Sequence, residues 1–193
     1  MNTKPSWINI HRNALTKDEC ENIINFSKEK FFKQPLLSDE EGRTSSQCFI
    51  EKKVSVVSKI ESFTEKILGK PIENQEQTSV VMYGKGEQYK PHWDYFHPQL
   101  HPKEYKAFVL KNGLPNNRVA TAIFYLNDNF EGGETYFPKI DFKIKPELGM
   151  CLAFVNVFNN DEFNEESLHA GLPVISGEKY IATKWVRRKA YIG

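Results

Sequence analysis

The sequence lacks the features that mark membrane, secreted and nucleic-acid-binding proteins. No apolar run is long enough to cross a bilayer and no basic-then-apolar leader follows Met1, so a cytoplasmic protein without a membrane partner is expected. The three cysteines form no CxxC pair, which argues against a disulfide framework and a thiolate zinc site. Lys and Arg (26) nearly balance Asp and Glu (25) without a basic block, so nucleic acid is not an expected partner.

The chain has the length of about one domain, and its first part, residues 1–73, shows helical spacing. A capping box of Thr16 and Glu19 begins a predicted helix over residues 16–32. A second helix is predicted from an apolar stripe that Gly69 stops. The members of this stripe are Val57, Ile60, Phe63, Ile67 and Leu68.

Residues 74–193 alternate short β-prone runs with turns and show no helices between them. This pattern indicates a sandwich or barrel, jelly rolls included. We therefore predict one mainly β (α+β) domain over 1–193, with a helical support layer at 1–73 and a β core at 74–193. The predicted strands are Thr78–Tyr83, Glu87–Tyr95, Val119–Leu126, Thr135–Phe137, Met150–Val155 and Lys179–Val186.

A metal site is predicted from the few histidines of the chain. His92 and Asp94 are two residues apart on a predicted strand, so their side chains leave the same face. Such a pair alone is far more often a surface pair than a metal site, but the distant His169 completes a 2-His-1-carboxylate set, which typically leaves coordination positions open for substrates. His97 and His101 are an alternative pair of metal ligands, but each precedes a proline, which argues against a regular helix or strand that would hold them together.

The last predicted strand adds a cation to this site. Lys179 begins a face on which every second residue, as far as Arg187, points the same way. A lysine on a strand commonly extends to solvent, yet this one can also meet the distal carboxylate of a metal-bound 2-oxo diacid. Tyr83 can donate a hydrogen bond to the same carboxylate.

At this point the chain resembles the prolyl 4-hydroxylase branch of the 2-oxoglutarate/Fe(II) dioxygenases. The resemblance covers nearly the whole chain and is carried by ordered motifs. These include Pro91-His92-Trp93-Asp94-Tyr95-Phe96, Arg118-Val119-Ala120-Thr121, Glu131-Gly132-Gly133-Glu134-Thr135, His169-Ala170-Gly171 and Gly177-Glu178-Lys179. It implies a double-stranded β-helix, a jelly-roll variant, with N-terminal helices packed on one sheet.

The resemblance also implies roles for individual residues and for the small molecules of the reaction. Iron(II) would be held by His92, Asp94 and His169, and 2-oxoglutarate by Lys179, Tyr83 and Thr121. Ascorbate and O2 are the other small molecules that it implies. The substrate, a proline-containing peptide or protein hydroxylated to 4-hydroxyproline with release of succinate and CO2, would meet Tyr89, Arg118, Trp185, Arg43, Ser45 and Arg187.

Two departures leave the substrate open. Arg187 stands where peptide-binding members commonly carry a substrate-contacting histidine, and residues 107–117 lengthen the loop after the first ligands. One alternative is that the same site hydroxylates a free amino acid or another small molecule. A second is a non-catalytic, cupin-like binding module, which has no need for a buried lysine opposite the metal.

Overall fold

The computed structural model describes residues 4–33, 44–51, 54–110 and 115–191. Its helices are α1 (Lys17–Ser27), α2 (Ser55–Leu68) and the short α3 (Pro102–Glu104), which a π-helix (Tyr105–Val109) follows. Its strands are β1 (Ile8–His11), β2 (Phe32–Lys33), β3 (Ser46–Ile50), β4 (Thr78–Tyr83), β5 (Tyr89–His92), β6 (Arg118–Tyr125), β7 (Glu131–Gly132), β8 (Thr135–Phe137), β9 (Phe142–Ile144), β10 (Cys151–Val155), β11 (His169–Gly171), β12 (Val174–Ser176) and β13 (Lys179–Arg187).

Helix α1 begins as predicted but ends earlier. The Thr16 side chain accepts a hydrogen bond from the backbone of Glu19, whose carboxylate accepts one from the backbone of Thr16. The prediction of a helix as far as residue 32 was wrong, because the backbone turns extended at Phe31. The ring of Phe31 lies 6.0 Å from that of Tyr180, so its apolar spacing reflects a contact made beyond the helix.

Helix α2 ends at the predicted stop signal. Gly69 has a φ of 63°, a left-handed conformation that costs glycine little because it has no Cβ, and its N–H donates to Glu65 at 2.8 Å. The stripe residues Val57 and Ile60 are buried. The second predicted helix is thus confirmed.

Two facing antiparallel sheets form the β core. The larger sheet has the strand order β1-β10-β6-β13-β4-β3-β2 and the smaller has the order β5-β11-β8-β9, while β12 and β7 form a separate pair. Tyr125 and Ile181 from the larger sheet share a buried apolar cluster with Phe137 and Ile144 from the smaller one. This arrangement confirms the predicted mainly β, jelly-roll type of architecture.

Strand β13 separates the two halves of the core. Its residues Tyr180 and Ala182 belong to a cluster that the larger sheet shares with helices α1 and α2, whereas Ile181 belongs to the cluster between the sheets. The ammonium of Lys184 also reaches the helical side, where it lies 3.2 Å from Glu61 of α2. The predicted packing of N-terminal helices on one sheet is therefore confirmed.

The N-terminal part of the chain is more than a helical layer. Strand β1 pairs with β10 and β3 pairs with β4, so residues before 74 extend the larger sheet at both edges. The short strands β9, β11 and β12 were also absent from the prediction. Cys20, Cys48 and Cys151 are free and buried. No helix within the described ranges is long and apolar enough to cross a bilayer.

Candidate active site

His92, Asp94 and His169 come together at one end of the smaller sheet. His92 ends β5 and His169 begins β11, and the two residues face each other across this antiparallel pair. Asp94 lies two residues beyond the end of β5, and not on a strand as predicted. One ligand atom from each of the three residues lies within 4.8 Å of the others. The structure thus brings together all three predicted metal ligands.

Backbone carbonyls fix the direction of both imidazoles. The Nδ1 atom of His92 lies 2.9 Å from the carbonyl of Lys90, and that of His169 lies 2.9 Å from the carbonyl of Ser167. A carbonyl only accepts hydrogen bonds, so each Nδ1 donates to its carbonyl and each Nε2 is directed toward the site. The Nε2 atoms lie 3.9 and 3.7 Å from the Asp94 carboxylate oxygens.

A chain of buried side chains holds the Asp94 carboxylate. The Thr121 hydroxyl donates to Asp94 Oδ2 at 2.6 Å, and the Asn156 amide donates to the Thr121 hydroxyl at 3.0 Å. Burial alone would raise the pKa of Asp94, but the neighbouring His169, His92 and Arg118 and the Thr121 hydrogen bond lower it below its ordinary value. Asp94 is therefore a carboxylate, as a metal ligand must be.

The predicted role of Thr121 in binding 2-oxoglutarate does not agree with this geometry. Thr121 is fully buried behind Asp94, and its hydroxyl is engaged by Asp94 and by Asn156. Strand alternation places Thr121 on the correct face but says nothing about which neighbour its hydroxyl meets. In the structure Thr121 therefore contacts Asp94 and does not line the cavity.

One cavity contains both the triad and the predicted cation. Lys179 is 2% exposed, and its ammonium donates to the carbonyl of Gly133 at 2.6 Å. Burial lowers the pKa of Lys179 to about 8, and the charge of Glu134 opposes this effect only in part. The cavity is lined by Val81, Tyr83, Tyr89, His92, Asp94, Ile123, Thr135, His169, Ala170, Gly171, Lys179, Ile181, Thr183 and Trp185.

Tyr83 and Thr135 line the same cavity as the buried ammonium of Lys179. Tyr83 faces Lys179 across the β4–β13 pair, and its ring centre is 5.2 Å from the ammonium. Thr135 lines the same cavity and shares a 2.7 Å hydrogen bond with the hydroxyl of Tyr125. Thr135 was not predicted, although it stands in the quoted Gly-Gly-Glu-Thr motif, because a single threonine in a strand carries no distinctive signal.

The predicted substrate-side residues divide into those that line the cavity and those that support it. Tyr89 and Trp185 line the cavity, and the Tyr89 ring stacks on His92 with centroids 3.5 Å apart. The guanidinium of Arg118 lies 3.8 Å from the Trp185 ring and binds the carboxylate of Glu76 through two hydrogen bonds of 2.6 and 2.8 Å. Arg118 therefore lies behind the cavity wall.

The remaining predictions on the substrate side receive less support. Arg187 is buried and donates to Glu76 at 2.6 Å and to the carbonyls of Phe108 and Asn116, so its guanidinium does not line the cavity. Ser45 is buried next to the start of β3 and is also not part of the lining. Arg43 lies outside the described residues.

The residues of the cavity fit iron(II) and 2-oxoglutarate. Two imidazole nitrogens and one carboxylate are the donor set of an iron site that leaves positions open, and the triad is the one such cluster of His, Cys, Asp or Glu in the described part of the chain. Among the same residues no carboxylate is hydrogen-bonded to Lys179, whose charge is buried between tyrosine rings. A dicarboxylate that reached from the metal to Lys179 would supply that partner.

Comparisons with known proteins agree with this geometry. Residues 78–187 match the family model described as the 2OG-Fe(II) oxygenase superfamily. A putative prolyl 4-hydroxylase of Acanthamoeba polyphaga mimivirus is 34% identical over 191 residues, which cover 97% of this chain and 76% of the relative. The probable prolyl 4-hydroxylase 7 of Arabidopsis thaliana is 30% identical over 218 residues, covering 98% of this chain and 66% of the relative.

Among solved structures, the 2OG complex of the viral collagen prolyl hydroxylase from Paramecium Bursaria Chlorella virus-1 is similar to this chain. The TM-score is 0.75 at 30% identity, and the match covers 94% of this chain and 96% of the viral chain. The seven-stranded and four-stranded sheets described above thus have a counterpart in a structure determined with 2OG bound.

Proposed function

Because this chain belongs to the 2OG-Fe(II) oxygenase superfamily, we propose that it is a prolyl 4-hydroxylase. The reaction couples decarboxylation of 2-oxoglutarate to insertion of one oxygen atom of O2 into a C–H bond of proline, and the other atom enters succinate. The observation that carries the proposal is the juxtaposition, in one cavity, of the His92, Asp94 and His169 triad with the buried ammonium of Lys179.

The triad and the lysine have separate tasks. His92, Asp94 and His169 would hold iron(II), which, together with 2-oxoglutarate and O2, supplies the oxidant for an unactivated carbon. Lys179 would bind the distal carboxylate of 2-oxoglutarate in a cavity that Tyr83 and Thr135 also line. The fixed positions of these groups orient the co-substrate before the reaction begins, so little reorganisation remains for the chemical step.

The apolar and aromatic walls of the cavity suit a proline ring and exclude water. Tyr89 lies against a metal ligand, and Trp185 lines the cavity from β13. Exclusion of water protects the reacting centre from side reactions, and aromatic faces hold an apolar ring in a defined orientation. Both curated relatives and the viral structure carry prolyl hydroxylase names, which supports proline as the target.

A turnover experiment tests the proposal. Purified protein with iron(II), 2-oxoglutarate and ascorbate should release succinate when a proline-rich peptide is present, and the peptide should gain the mass of one oxygen atom. Fragmentation and NMR of the product should place the hydroxyl on carbon 4 of proline. Succinate release with free proline but not with the peptide would overturn peptidyl proline as the substrate, and no turnover with either would overturn proline hydroxylation.

A non-catalytic binding module of the same fold is disfavoured by Lys179. A buried ammonium without a paired carboxylate destabilises the folded protein, and a protein that only bound a metal would gain nothing from it. Uncoupled decarboxylation of 2-oxoglutarate, measured as succinate released without any peptide, would separate an enzyme that lacks its correct substrate from a module that has no activity.

A further inference from the structure

An aromatic contact lies behind the segment that carries the first two metal ligands. Trp93 stands between His92 and Asp94 in the chain, and Tyr95 follows directly. Neither aromatic ring belongs to the cavity lining, and both meet Phe163 instead. The Tyr95 ring stacks on Phe163 with centroids 4.7 Å apart and 28° between the planes, and the Trp93 ring meets it edge-on at 5.8 Å. The loop between β10 and β11, which contains Phe163, therefore packs on the back of this ligand segment.

A hydrogen bond joins the same ligand segment to the stretch that leads to the third ligand. The indole N–H of Trp93 donates to the carbonyl of Glu165 at 3.0 Å. The ammonium of Lys139 lies 5.6 Å from the centre of the Trp93 ring and 2.8 Å from the Glu165 carboxylate, so it contacts both sides of this junction. Glu165 begins the short 3-10 turn Glu165–Ser167, and His169 follows two residues later. Trp93 thus connects the two ligand-bearing parts of the chain.

The residue that follows the loop phenylalanine, Asn164, is hydrogen-bonded to the supports of two ligands. Its backbone N–H donates at 3.0 Å to the carbonyl of Asn156, whose side chain begins the buried chain that holds the Asp94 carboxylate. Its carbonyl accepts a 2.7 Å hydrogen bond from the hydroxyl of Ser167. The carbonyl of Ser167 is the group that orients the imidazole of His169. The loop is therefore fixed to both the carboxylate ligand and the second imidazole.

We propose that Trp93, Tyr95 and Phe163, which we call the ligand clasp, are positioning residues that hold the two ligand-bearing segments in the arrangement that iron(II) requires. This inference rests on the proposed role of the triad as an iron site. Because the ligands come from segments far apart in the chain, fixing the segments beforehand reduces the entropy lost when the metal binds. Partners that orient metal ligands from outside commonly raise metal affinity by tenfold or more. The clasp acts through the ligands and does not contact the substrate.

Calorimetric titration with iron(II), without O2 and far below Tm, tests the clasp in matched variants. Phe163→Ala should bind iron(II) roughly tenfold more weakly than the wild type, because it removes the ring that both other clasp residues contact. Trp93→Phe keeps a ring but loses the indole donor, and it should weaken binding roughly threefold to tenfold. Phe163→Tyr, which keeps the ring, should restore binding to within about twofold of the wild type.

A control separates positioning of the ligands from support of the fold. Phe26→Ala removes the same side chain from helix α1, where the ring is 36% exposed and lies 3.9 Å from the ammonium of Lys30. A ring that only stabilises the fold lowers Tm but leaves the metal affinity of the folded protein unchanged at a temperature far below Tm. Cobalt(II) provides a second readout, because its visible absorption bands depend on coordination geometry. These bands should change in Phe163→Ala and match the wild type in Phe26→Ala.

The outcomes distinguish the clasp from the proposed reaction. Iron(II) affinity and cobalt(II) spectra in Phe163→Ala and Trp93→Phe equal to those of Phe26→Ala would overturn the clasp, whatever the loss of Tm. If Phe163→Ala does not fold, the milder Trp93→Phe decides the question by the same two measurements. Weaker metal binding in the clasp variants, together with a wild type that binds iron(II) but does not hydroxylate proline, would support the clasp while overturning the proposed reaction.

Discussion

Replacing Lys179 by methionine should stabilise the protein without co-substrate and abolish binding of 2-oxoglutarate. The drop in the pKa of Lys179 from 10.5 to about 8 means that keeping the buried ammonium charged at neutral pH costs about 3 kcal/mol. Methionine removes this cost but leaves the carbonyl of Gly133 without its donor, which costs about 1 kcal/mol. The net gain of about 2 kcal/mol should raise Tm by about 4–8 °C for a chain of this size.

The difference in stability between the wild type and Lys179→Met should depend on pH, in a direction that follows from the lowered pKa of Lys179. Below pH 8 both the folded and the unfolded protein carry the ammonium, so the full penalty applies to the wild type. Between pH 8 and 10.5 the folded protein loses the proton first, so the wild type gains stability relative to the variant. The rings of Tyr83 and Tyr125 and the carboxylate of Glu134 face the same ammonium, and they are unchanged in the variant.

The assay is thermal unfolding of both proteins from pH 6 to 10, with and without 2-oxoglutarate, in the absence of O2. The exposed Lys145→Met serves as the control for loss of one lysine. 2-Oxoglutarate should raise Tm of the wild type and of the control but leave Lys179→Met unaffected. A Lys179→Met protein that melts below the wild type at pH 7, or one that still responds to 2-oxoglutarate, would refute the reasoning.

Three further predictions concern the ligands and the backbone. Asp94→Ala should lose both iron(II) binding, followed by calorimetry, and succinate release; retention of either at wild-type level would exclude Asp94 as a ligand. Thr121→Val should weaken iron(II) binding roughly tenfold or more because the carboxylate loses its donor, while Thr121→Ser, which keeps the hydroxyl, should bind normally. Gly132→Ala should lower Tm more than Gly86→Ala. Both glycines have a positive φ, but of the two only a Cβ at position 132 would meet a backbone oxygen, at 2.5 Å. An equal loss of Tm in the two variants would argue against that clash.

The parts of the site that the sequence predicts are those in which residue type and spacing carry the chemistry. The chain has only five histidines, so few combinations could form a metal site, and His92 and His169 could be assigned with Asp94 to one metal. Lys179 was predicted because it begins a strand whose alternation places one face toward the core. Thr121 and Thr135 show the limit, since hydroxyl side chains are common and only their three-dimensional neighbours distinguish a support for Asp94 from a member of the cavity wall.

The fold was predictable to a similar degree. Strands β4, β6 and β13 run over enough β-prone residues to be recognised, whereas β1 and β3 lie beside strong helical signals and are strands because the edges of the larger sheet are available to them. The early end of α1 was missed for a related reason. Phe31 satisfies helical spacing by chance, and its contact with Tyr180 involves residues far apart in the chain.

The two faces of β13 have a consequence for how this sequence can change. Lys179 and Trp185 face the cavity, whereas Tyr180 and Lys184 face the helices. Inserting or deleting one residue at the start of the strand would exchange these faces, moving Lys179 toward the helices and Lys184 into the cavity, away from its partner Glu61 on α2. Substitutions in β13 can therefore be graded in effect, but a change in its length would destroy the fold and the chemistry together.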